Sequence, residues 1–217
     1  MQPSFNDVAP HRHSFLHIFF LWDNGRCSEI CIVGSGVLHT MPPAEKCRLF
    51  LMIDPTSSFA EHLADIITDC GGLLLRPCDD MQDIPDDVPS DELRGIVREW
   101  LIRQAFVTDG GNIRAVDERI VKLVSEIREH RHLEERISEI AQQCYLSESR
   151  LSHIFRESCG ISLKGYLNIA RMRYAYELVL YGRSITYAAL EAGFGSSAHL
   201  AAVCREQMGI SISGVLR

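Results

Sequence analysis

Apolar residues recur every three or four positions over residues 162–181, at Leu163, Tyr166, Leu167, Ala170, Tyr174, Leu178 and Tyr181. That is the period of an amphipathic helix, so one long helix is predicted there. Ser162 stands where an N-cap side chain accepts a free backbone N–H, and Gly182 stands where a left-handed residue ends a helix. At about 1.5 Å per residue, a helix of about 20 residues is roughly 30 Å long. One turn of B-DNA is close to this, at about 34 Å.

The sequence before this helix partly repeats after it. Ile140-Ala141-x-x-Cys144-Tyr145-Leu146, then Leu151, Ile154, Arg156-Glu157 and Gly160-Ile161-Ser162, is answered by Ala188-Ala189-x-x-Ala192-Gly193-Phe194, then Leu200, Val203, Arg205-Glu206 and Gly209-Ile210-Ser211. The offset is 48 residues at Ala141/Ala189 and 49 at Leu151/Leu200, so the second copy carries one extra residue in its turn. Each copy has the grammar of a helix-turn-helix: a short helix, a tight turn, and a second helix opened by serine. Gly193 tolerates the positive φ such a turn asks for; Tyr145 holds the same place in the first copy, which predicts strain there. A protein-binding helical repeat needs about three or more units, and only two are present.

Residues 117–217 resemble the DNA-binding domain of the AraC/XylS transcriptional regulators. The likeness rests on Leu146-Ser147-x-Ser149-x-Leu151-Ser152-x-x-Phe155-Arg156, Gly160-x-Ser162, Tyr166-Leu167, Arg171-Met172, Ala175, Ser184-Ile185, Ala189, Gly193-Phe194 and Ser196. It implies seven helices, with two helix-turn-helix units on a rigid linker helix. Both recognition helices are then expected in successive major grooves on one face of the duplex. Ser147 is expected to cap a first recognition helix from Glu148 to Ser158, apolar at Leu151, Ile154 and Phe155. Its other side carries Ser149, Arg150, Ser152, His153 and Arg156. The resemblance implies that Ser149, Ser152 and His153 face base edges while Arg156 approaches phosphate, with Arg150 available to either. In the second unit Ser196 is expected to cap a helix presenting Ser197, His199 and Arg205 beside Ala201 and Ala202. The family usually has arginine at Ala202 and proline at Ile212. Alanines cannot make bidentate base contacts, so the second helix is expected to position rather than read.

The N-terminal half alternates differently. Strands are predicted at 15–22, 29–33, 37–41 and 48–53, punctuated by Asp23-Asn24-Gly25, Gly34-Ser35-Gly36 and Pro42-Pro43. From Ser57 the period is helical, through Phe59, Leu63, Ile66 and Ile67, until Cys70-Gly71-Gly72 stops it. An acidic loop at 79–92 precedes a second helix over 91–106. The apolar stripe of this helix, Leu93, Ile96, Val97, Trp100, Leu101 and Ala105, is expected to serve either a homodimer interface or its own half's core. The half resembles a reduced cupin-like effector domain. The fold class is therefore α+β, with a cupin-like effector or dimerisation domain at 1–106, a linker at 107–112 and a DNA-binding domain at 113–217.

Four histidines carry the candidate chemistry of that half. His11-x-His13-x-x-x-His17 precedes Gly36-x-x-His39. Alternate residues of a strand share a face, so His11, His13 and His17 are expected to line one pocket with His39 if the strand reaches that far. Four imidazoles suit zinc, copper, nickel or iron. Metal-binding cupins have a similar pattern, with glutamate where this chain has His17. Most members of the regulator family line a metal-free effector cavity instead, so a divalent metal and a small-molecule effector both stand as expectations.

Charge divides the 217-residue chain in the same place. Residues 1–106 hold 8 Lys/Arg against 16 Asp/Glu, and residues 107–217 hold 14 against 13. An acidic half is unsuited to phosphate, so DNA contact is expected from the second half through local clustering. No membrane span or secretion signal is visible, and the expected location is cytoplasmic. Eight cysteines without a CxxC pair read as reduced core thiols; Cys27 and Cys31 are the pair to watch for redox sensing. The expected function is that of a non-enzymatic, sequence-specific transcriptional regulator of double-stranded DNA, answering a small molecule. RNA polymerase is a further expected partner where the effect is activation. The rival is a cupin-type metal-dependent enzyme using the N-terminal histidines, which leaves the C-terminal repeat unexplained.

Overall fold

Strand β1 (Leu16–Asp23) turns through Asn24 and Gly25 into β2 (Arg26–Val33), both turn residues having positive φ, 48° and 81°. This two-residue connection matches the twist of the flanking strands. The computed structural model describes residues 10–43, 45–78, 81, 84, 88–104, 106, 117–208 and 212. They fall into two compact units, Ser14–Asn112 and Ile113–Arg217, with the described residues 10–13 belonging to the second. The linker expected at 107–112 lies outside the described residues, as does most of the acidic loop.

In the first unit β3 (Cys47–Ile53) and β4 (Leu73–Pro77) complete an antiparallel sheet of order β3-β1-β2-β4. Helices α1 (Ser58–Thr68) and α2 (Ser90–Arg103) cover one face. Ile18, Phe20, Trp22, Ile30 and Ile32 form a core there with Leu63, Ile67, Val97, Trp100 and Leu101, and the Phe20 and Trp100 rings meet edge to face at 5.2 Å. Of the stripe expected on α2, Leu93, Val97, Trp100 and Leu101 pack into their own unit's core, while Ala105 lies outside the described residues. Two strand expectations need correction. Residues 37–41 form only an isolated bridge at His39, because the turn at Gly34–Gly36 and the prolines at 42 and 43 leave no run able to pair. Conversely, β4 was not foreseen, since Leu73-Leu74-Leu75 does not alternate; pairing with β2 makes it a strand.

The second unit holds α3 (Glu118–Arg128), α4 (Ile137–Gln143), α5 (Glu148–Cys159), α6 (Leu163–Leu180), α7 (Ile185–Glu191) and α8 (Ser197–Met208). Beyond Met208 only Ile212 is described. Serine hydroxyls cap four of these helices in the same way. Ser147, Ser162, Ser184 and Ser196 each accept from the backbone N–H three residues on, at 3.1–3.2 Å. The predicted long helix is α6, 18 residues and about 27 Å long. It is not one-sided: Ile169 and Met172 are buried as well as Leu163, Tyr166, Leu167, Ala170 and Ala175, because α3, α5, α7 and α8 all pack on it. Tyr181, the last member of the predicted stripe, falls beyond the helix and is 85% exposed. No helix of the described residues is long and apolar enough to cross a membrane.

Candidate nucleic-acid interface

Helices α4 and α5 form the first helix-turn-helix and α7 and α8 the second. Their turns are built by the same hydrogen bonds. Tyr145 N–H donates to Gln142 O and Leu146 N–H to Ala141 O; 48 residues on, Gly193 N–H donates to Leu190 O and Phe194 N–H to Ala189 O. These are the bonds of a left-handed helix C-cap. The caps of the second helices, Ser147 and Ser196, stand 49 residues apart, so the extra residue is Gly195, after the turn rather than within it.

On α5, Leu151, Ile154 and Phe155 are buried, with Phe155 against Tyr166 of α6 at 5.6 Å. Ser149, Arg150, His153 and Arg156 are exposed, and Ser152 is half-buried at the edge of the same face. On α8, Leu200, Val203, Cys204 and Met208 are buried. His199, Ala202 and Arg205 are exposed, while Ser197 and Ala201 are half-buried. The His199 ring stands edge-on to Phe194 at 5.3 Å, which ties its orientation to the core. Each helix thus exposes most of its expected side chains, with Ser152 and Ser197 half-buried, and α5 exposes more that can donate hydrogen bonds.

Three features were not read from the sequence. His153 Nε2 lies 3.3 Å from Glu157 Oε1, one turn along α5, so an acid faces the same solvent as the expected base reader. Arg171, named only as part of a motif, donates from Nε to Leu133 O at 2.5 Å, and burial holds its pKa below the ordinary arginine value. At the start of α3, Asp117 caps the helix and binds Arg119 through both carboxylate oxygens. The Arg119 side chain is the main cause that lowers the Asp117 pKa to about 2. Spacing within helices could have suggested the first and third. The Arg171 contact joins residues 38 apart, and no local signal carries it.

The four histidines lie as follows. On the sheet face opposite α1 and α2, the His17 and His39 rings meet at 5.1 Å beside Phe19 and Phe50. The His11 and His13 rings are 5.3 Å apart. His11 and His13 group with the second unit and His17 and His39 with the first, so the expected single pocket divides into two pairs. His13 and His39 are 6% and 8% exposed, which is unusual for this residue type. His39 Nδ1 donates to Val37 O at 2.9 Å, a bond that leaves the lone pair on Nε2.

A family model described as a helix-turn-helix domain matches residues 140–217. HTH-type transcriptional regulators of Staphylococcus aureus are 34% identical over 86 residues, 39% of this chain. The chain spans 12% of the length of those relatives. Among solved structures, ToxT from Vibrio cholerae is similar over all of this chain and 97% of its own, at 16% identity and a TM-score of 0.46. The C-terminal domain of AraT, a response regulator from Geobacillus stearothermophilus, is similar over 46% of this chain and 84% of its own, at 22% identity and a TM-score of 0.42.

Proposed function

We propose that the chain, whose C-terminal region matches a helix-turn-helix domain, is a DNA-binding transcriptional regulator of the AraC type that places α5 and α8 in successive major grooves. One observation carries the reading: two serine-capped second helices, each with a polar outward side, stand on a single helix about 27 Å long. That length approaches the roughly 34 Å repeat of B-DNA. Arg150, Arg156 and Arg205 supply cationic contacts to phosphate, while Ser149, Ser152, His153, Ser197 and His199 meet base edges. Selection from random duplexes followed by footprinting tests this. A protected site of about two helical turns is expected, and failure to enrich any sequence overturns it.

The N-terminal unit supplies the response to a small ligand. The buried His17 and His39 rings, 5.1 Å apart beside Phe19 and Phe50, support a small ligand or a divalent transition metal on that sheet face. The donor set fits, since the Val37 carbonyl fixes the His39 tautomer as outer partners of metal-bound histidines do. A bound metal would supply charge and a fixed geometry to the sheet face, and no chemical step is assigned to it. Equilibrium dialysis against zinc or nickel is expected to give one ion per chain for the wild type and none for His39→Ala. Equal uptake by both leaves the metal-free effector cavity as the reading.

A further inference from the structure

We propose that Tyr145 contacts the DNA backbone beside the first recognition helix, its ring against the sugar and its hydroxyl donating to a phosphate oxygen. This rests on the DNA-binding reading above and adds to it a residue outside both recognition helices.

The fold has no use for this side chain. Tyr145 is 93% exposed and sits at φ 54°, a left-handed conformation uncommon for an aromatic residue. The turn needs only its backbone, and Gly193 makes the same bonds at φ 80° without a side chain. Glycine would therefore serve the first turn at lower cost. A residue that raises the energy of the folded state and touches solvent almost everywhere points to a partner outside the chain.

Its position says which partner. Tyr145 is two residues ahead of Ser147, the N-cap of α5, and two residues span at most about 7 Å of chain. The ring thus stands at the end of the helix whose outward side holds Ser149, Arg150, His153 and Arg156. Cys144 and Leu146 beside it are half-buried, and Gln142, Gln143, Ser147 and Glu148 next to them are exposed and polar, so among the described chain neighbours Tyr145 is the one exposed apolar side chain, less than the few hundred Å² of apolar patch that marks a protein partner. A single amphipathic ring among polar groups suits a sugar–phosphate strand, where tyrosine is one of the usual donors to phosphate.

The test uses the full chain and a duplex selected with the wild type. Tyr145→Gly is expected to melt no lower than the wild type, and to lose about tenfold in affinity for the selected duplex and for single-base variants of it alike. Tyr145→Phe should lose part of that, because it keeps the ring and drops the hydroxyl. Tyr145→Asn, which tolerates the same φ, should match Tyr145→Gly and guards against a folding artefact. Wild-type affinity in both Tyr145→Gly and Tyr145→Asn overturns the inference while leaving the DNA reading intact, and points to a protein partner. A wild type that selects no duplex overturns both.

Discussion

Tyr145 and Gly193 hold the same place in the two turns, yet only Gly193 is sterically confined. A Cβ at Gly193 would lie 2.6 Å from Leu133 O and 3.4 Å from Arg171 Nε, whereas Tyr145 projects into solvent. The first prediction follows from this difference. Gly193→Ala meets both the strained φ of 80° and an immovable backbone carbonyl, and should destabilise the protein by about 2–4 kcal/mol. Tyr145→Gly should instead stabilise by about 1 kcal/mol, since it relieves strain without removing a buried contact. Urea denaturation of the two variants checks both signs; a mild Gly193→Ala would mean that the backbone at Leu133 can give way.

How far the sequence could be read follows from how local each cause is. The duplicated turns, the caps at Ser147, Ser162 and Ser196 and the apolar side of α5 rest on interactions within a few residues, and these were visible in the sequence; the Ser184 cap was read only as a motif residue. The strain at Tyr145 was visible for the same reason: a repeat turns one residue into a measurement of another. What was hidden is non-local. Leu73–Leu75 becomes a strand only because Cys31 and Val33 lie opposite it, and the Arg171–Leu133 joint crosses 38 residues. The histidine spacing suggested a common pocket on an extended strand. β1 begins only at Leu16, so irregular backbone, rather than strand alternation, places His11 and His13.

Acid sensitivity is the second prediction. The Asp117 carboxyl, ordinarily near 3.8, is held at about 2, chiefly by the Arg119 side chain. A lowered carboxylate pKa stabilises the fold above the ordinary value and stops doing so as pH falls through the folded one. This contribution should therefore fade between about pH 4 and pH 2. Asp117→Asn keeps an N-cap acceptor but cannot titrate, so its melting temperature should fall less steeply over that window. Parallel curves would show that solvent screens the Arg119 pair at this exposed site.

Thiol chemistry gives the third. Cys27 and Cys31 are four strand residues apart on β2, about 13 Å, too far for a disulfide. The Cys27 pKa is raised by a hydrogen bond with Cys78 and by burial, and burial pushes Cys47 up to about 12 and Cys204 up to about 11. Such thiols attack slowly. In the native protein at neutral pH, iodoacetamide should label exposed Cys70 first, and Cys27, Cys47 and Cys204 only on unfolding. Rapid native labelling of Cys27 would revive the redox reading.

The two recognition helices should contribute unequally to sequence discrimination. The α5 face presents Ser149, Arg150, Ser152, His153 and Arg156, against Ser197, His199 and Arg205 on α8, where exposed Ala202 and half-buried Ala201 complete the surface. A good bidentate base contact is worth about 1–3 kcal/mol of discrimination, and alanine offers only apolar contact to a thymine methyl. Base substitutions in the half-site under α5 should therefore cost more than those under α8. Within α5 the roles should separate by their dependence on sequence and salt. Arg156→Ala should weaken binding to every duplex and reduce the salt slope by about 1, because a phosphate contact releases counterions without reading bases. His153→Ala should relax discrimination at one or two base pairs. Glu157→Gln bears on the same side chain: removing the acid 3.3 Å from the imidazole frees it for the groove and lessens repulsion of phosphate. It should tighten binding to all sequences, and His153→Ala should still relax the same base pairs in that background. A systematic operator scan with equal penalties in both half-sites would show that the α8 alanines do not limit its reading.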